Sequence, residues 1–76
     1  MDESFFDELI DQQNEKMSAF ARKIIPNLTS DDLLQPCDFP QLENNAHFRY
    51  EEGILDGLRT AKMAFLASKR EKENLF

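Results

Sequence analysis

Between residues 4 and 25 the apolar side chains recur at helical intervals. Phe6, Ile10, Met17, Phe20 and Ile24 fall in steps of four, three, four, three and four once Gln13 is counted as the one polar member of the series. Alternating steps of three and four put all six positions on one helix face, the pattern of a seam between two helices. Ser4 followed by Asp7 resembles a capping box in which Asp replaces Glu. Pro26 marks the stop, because the residue before a proline avoids the α region. The pattern predicts a helix over about 4–25.

A second long helix is predicted over about 46–72, with Asn45 as its N-cap. Tyr50, Ile54, Leu58, Ala61 and Phe65 share one stripe, and Leu55 and Leu66 flank it. The chain's only two glycines, Gly53 and Gly57, lie inside the same segment, four residues apart, with Ala61 four further on. Each glycine costs a helix interior about 0.5–1 kcal/mol relative to alanine. Their spacing predicts a flat strip where another helix comes close, either within the chain or from a partner.

The connector, residues 26–45, is punctuated by Pro26, Pro36 and Pro40. It also carries Leu28, Leu33, Leu34, Phe39 and Leu42, which is too apolar a set for a free linker. One short helical turn is expected after a cap at Thr29 or Ser30, stopped by Pro36. A second is expected to start at Pro40 and include Leu42. The connector then folds back over one end of the helical pair.

Charge sets the topology. Residues 2–15 hold six acids and no base, whereas Lys16, Arg22 and Lys23 lie later in that helix. The last helix repeats the polarity, with Glu51, Glu52 and Asp56 early and Arg59, Lys62, Lys69, Arg70 and Lys72 late. Each helix complements its own macrodipole, and only an antiparallel arrangement brings the acidic start of one to the basic end of the other. The fold class is therefore all-α: an antiparallel helical hairpin with a proline-punctuated connector, a form that doubles readily into a four-helix bundle. Seventy-six residues make one small helical domain, 1–76, whose core is marginal unless a partner adds to it. A homodimer is the expected remedy, since a lone cysteine permits no internal disulfide.

The net charge of −6 argues against binding nucleic acid or an anionic membrane, where Lys and Arg must neutralise phosphate. The acidic opening Met1-Asp2-Glu3 is the reverse of a signal-peptide start, and no apolar run approaches the length of a membrane span. With one cysteine, this fits a cytoplasmic protein. The sequon Asn27-Leu28-Thr29 has no meaning there.

Candidate chemistry is thin. Glu43, His47 and Glu51 form E-x3-H-x3-E, a ligand spacing on an unbroken helix, but Asn44-Asn45 is expected to break that helix, leaving His47 solvated. Cys37 sits beside Asp38, which disfavours a thiolate. No metal, cofactor, small-molecule substrate or catalytic activity is expected. The expected function is a protein–protein interaction module (an adaptor, subunit or dedicated chaperone) that binds through an apolar helical face. One hairpin cannot easily bury all seven phenylalanines, and exposed apolar surface marks an interface. The residues expected at the contact or at a close helix crossing are Phe39, Phe48, Tyr50, Gly53, Ile54, Gly57, Leu58 and Ala61. The alternative is a regulator that contacts nucleic acid through the basic second half of the last helix.

Overall fold

The computed structural model describes residues 2–74. Helix α1 spans Glu3–Ile24, a short helix α2 spans Pro40–Glu43, and α3 spans Ala46–Asn74. Two 3-10 turns, Asp32–Leu34 and Pro36–Asp38, lie between α1 and α2. Helices α1 and α3 pack as an antiparallel hairpin, drawn out to about 52 × 19 × 19 Å.

Local chemistry explains the boundaries. Asp2, not the expected Ser4, caps α1: its Oδ1 accepts from the Ser4 backbone N–H at 3.0 Å and from Ser4 Oγ at 2.6 Å. Aspartate wins because it sits one residue outside the first helical turn with a full negative charge at the positive end of the dipole. At the other end Ile25, preceding Pro26, has left helical backbone (φ −127°, ψ 91°). Thr29 and Asp32 cap the first 3-10 turn reciprocally. Asp32 N–H donates to Thr29 Oγ1 at 3.1 Å and Thr29 N–H to Asp32 Oδ2 at 3.0 Å. Asn45 Oδ1 accepts from Phe48 N–H at 2.9 Å, which starts α3 where the sequence places it. The tail from Lys69 to Lys72 continues α3; Leu75 and Phe76 lie outside the described residues.

The core gathers at the connector end of the hairpin. Met17 and Ala21 of α1, Leu28 and Leu42 of the connector, and Phe48 and Leu55 of α3 are buried together, with Ile10, Phe20, Ile24, Leu33 and Phe39 packed against them. Arg22 ties the connector back, its Nε donating to the Leu28 carbonyl at 3.1 Å. The far end holds a smaller aromatic group, in which Phe6 lies 5.3 Å from Phe65 and 5.6 Å from Phe5 between ring centroids.

The core stripe of α3 differs from the one the sequence suggests. Phe48, Glu51 and Leu55 face α1, and Tyr50 is 68% exposed. The glycines also lie outward, and a Cβ added at Gly53 or Gly57 would meet nothing within 4 Å. Among the described residues no close helix crossing accounts for them. Gly53→Ala should therefore stabilise the hairpin by about 0.5–1 kcal/mol, the helix-propensity difference alone. Urea denaturation monitored by circular dichroism checks this, and a loss of stability would show that the position is occupied.

Candidate functional site

Two polar clasps hold the hairpin in register, and they show why charged residues occupy the inner face of α3. Gln13, the polar member of the α1 seam, is buried opposite Glu51. Its Nε2 donates to the Glu51 backbone carbonyl at 2.9 Å and to Oε2 at 2.6 Å. Lys16 Nζ lies 3.3 Å and His47 Nε2 3.5 Å from Glu51 Oε1. At the far end Lys62 Nζ donates to Asp7 Oδ1 at 2.5 Å and lies 3.6 Å from Glu3 Oε1. The acidic start of α1 thus meets a base late in α3, as the charge pattern requires.

The hydrogen bond from Gln13, aided by Lys16, holds the Glu51 carboxyl below its ordinary value of 4.5 against the opposing effect of burial. A depressed carboxylate stabilises the fold above the unfolded pKa, and that contribution is lost as pH falls through the folded one. Unfolding experiments stepped downward from pH 5 should show stability falling. Glu51→Gln should make that fall shallower, and an identical pH slope in the variant would remove Glu51 from the account. For Lys62 the contact with Asp7 raises the pKa, so its contribution is complete below 10.5 and fades as pH rises past that value.

His47 lies in the first turn of α3 and stacks on Phe20, with ring centroids 4.4 Å apart. The E-x3-H-x3-E spacing is interrupted, because α2 ends at Glu43 and α3 begins at Ala46. Among the described residues no group of three His, Cys, Asp or Glu is placed to hold a metal ion. Cys37 is exposed in the second 3-10 turn. A cleft of about 400 Å³ opens between the helices and the connector, lined by Met17, Ser18, Leu33, Leu34, Leu55 and Asp56 among others.

The residues expected to bind a partner separate into two groups. Phe48 is 1% exposed and Phe39 is half-buried against the same core. Phe48 therefore holds the hairpin together and is not open to a partner. Tyr50, Gly53, Gly57 and Ala61 are exposed, whereas Ile54 and Leu58 are half-buried. At about 100° per residue, Tyr50, Ile54, Gly57, Leu58, Ala61 and Phe65 share an arc of about 100° on α3. Ser68 extends it, and no charged residue falls on it from Tyr50 to Ser68, in a chain of which 32% is charged. Gly53 lies just outside this arc. The connector covers the opposite flank of α3, where Glu52, Asp56 and Arg59 line the cleft with Leu33 and Leu34. The arc is thus partly open: Tyr50, Gly57 and Ala61 are exposed, whereas Ile54, Leu58 and Phe65 are half-buried on its α1 side.

No helix among the described residues is long and apolar enough to cross a membrane. Comparison with protein-family models, curated proteins and solved structures finds no match.

Proposed function

We propose that this chain is a small helical protein–protein interaction module, an adaptor or subunit that binds another polypeptide through the open arc of α3. One observation carries the proposal. A partly exposed apolar helix face runs about five turns without a charge, in a chain of which 32% is charged. Solvated helix faces normally carry charge, and apolar surface left uncovered marks a contact. Tyr50, Ile54 and the uncovered edges of Leu58 and Phe65 supply the apolar area, and Tyr50, 68% exposed, is suited to anchor it. A helix laid into this face follows the helix-in-groove mode. A single cysteine, exposed at Cys37, suits a reducing compartment such as the cytoplasm.

A photoreactive phenylalanine analogue in place of Tyr50, in cells that produce the protein, tests this directly. Discrete cross-linked species are expected from position 50 and none from the same probe at Glu8, which lies exposed on α1. Failure to form any adduct at position 50, or equal labelling at both positions, would overturn the proposal.

A further inference from the structure

We infer that a second docking surface lies on the other flank of α3, a groove that takes a basic amphipathic helix of another protein. It is separate from the Tyr50 arc and does not depend on it. Glu52, Asp56, Arg59, Met63 and Leu66 recur along α3 in steps of four, three, four and three, which makes them one stripe. Asp7, Asp11, Asn14 and Ser18 recur along α1 in steps of four, three and four. Between the two stripes lie the cleft of about 400 Å³ at the connector end and another of about 730 Å³ toward the far end, and Arg59 lines both. The lining is apolar at depth: Met17 and Leu55 in the first cleft, Ile10 and Leu66 in the second. From Glu52 to Leu66 the stripe covers about 21 Å, about four turns. Two antiparallel helices offer such a groove to a further helix, which is how bundles grow.

Exposure and charge describe the occupant. Four large apolar side chains are exposed among the described residues, and two of them, Leu34 at 78% and Met63 at 70%, border this groove. They offer an apolar stripe of a partner one contact near each end. Charge sets the partner's sign. Lys62 is engaged by Asp7 and Glu3, and Glu52 pairs with Arg49 at 3.3 Å. Asp11 on the α1 wall and Asp56 on the α3 wall are exposed, and among the described residues neither has an ion pair. Bases on both flanks of the incoming apolar stripe complement them. Arg59 opposes such a partner but stands against acids on both walls. A second copy of this chain fits poorly, because it too carries a formal charge of −6.

A fluorescent helix-forming peptide of about 15 residues, matched to the four turns of the groove, is the probe. It is built of Leu, Ala and Lys, with one leucine stripe flanked on both sides by lysine, and anisotropy reads its binding. The wild type is expected to bind it and to ignore the same peptide with Glu in place of Lys. Leu34→Ala combined with Met63→Ala is expected to weaken binding about tenfold, and Asp11→Asn combined with Asp56→Asn about fivefold. Glu8→Gln with Glu15→Gln removes the same charge from exposed positions that line neither cleft, and is expected to change binding less than about twofold. Arg59→Gln should tighten it. All these positions are exposed, and circular dichroism confirms that each variant keeps its helix content. No binding, preference for the Glu peptide, equal losses from the two acid pairs, or weaker binding by Arg59→Gln would overturn the inference. So would a wild-type dimer, seen by light scattering, that Met63→Ala dissociates, because a second copy would then hold the groove. Adducts at position 50 report on the arc alone, so either surface can fail while the other stands.

Discussion

Phe48→Ala is expected to leave the chain largely unfolded at room temperature. Phe48 is the largest side chain in the core and is 1% exposed, packed with Met17, Ala21, Leu28, Leu42 and Leu55. Removing a buried phenylalanine costs about 3–5 kcal/mol through lost transfer free energy and an unfilled cavity. A single core in a domain of this size rarely supplies more than about 3–5 kcal/mol in total. The two figures are comparable, so the cost consumes the stability. The far-ultraviolet helical signal of the variant should fall toward that of an unfolded chain, and Phe48→Leu should recover most of it. A cooperative transition in Phe48→Ala close to that of the wild type would show that α3 does not pack through this residue.

Leu42→Ala should destabilise by about 2–5 kcal/mol, although it lies outside both long helices. Leu42 is fully buried in α2, whose backbone Pro40 starts and whose side chain reaches both α1 and α3 through the core cluster. Leu34→Ala, a few residues earlier and 78% exposed, should stay within about 0.5 kcal/mol of the wild type. Urea midpoints compared at one fixed protein concentration separate the two, which matters because self-association would shift both. Equal midpoints would reduce the connector to a tether.

Much of this architecture was legible in the residues. Pro26 and Asn45 bound the long helices because their effects are local: a proline restricts its predecessor and an asparagine caps through its own side chain. The antiparallel orientation followed from the order of acids and bases, and the Lys62 contact with Asp7 and Glu3 realises it. The inner face of α3 was not legible. Phe48, Glu51, Leu55, Leu58 and Lys62 make that seam, and two of the five are charged. Judged by apolar content alone, the neighbouring stripe through Tyr50, Ile54, Leu58, Ala61 and Phe65 is the better seam. What reverses the choice lies on α1: Gln13 and Lys16 satisfy Glu51, and Glu3 and Asp7 satisfy Lys62. Gln13 was the available signal, because a polar residue inside a seam requires a polar answer from the opposite helix. Which of the residues expected at a contact are exposed was not legible, and Phe48 belongs to the core, since exposure depends on which stripe α1 covers.

Helix α3 is seven residues longer than α1, and from Ala67 to Lys72 every side chain is exposed. Helical order there propagates from the packed turns before it, because an isolated pair of turns is not stable in water. Amide protons along this stretch should consequently exchange with deuterium fastest in α3, in a gradient that steepens away from Phe65. That gradient makes the segment a label-free gauge of occupancy. Anything that settles along the open side and reaches Lys72 will slow exchange there first, long before the buried amides around Phe48 register its presence.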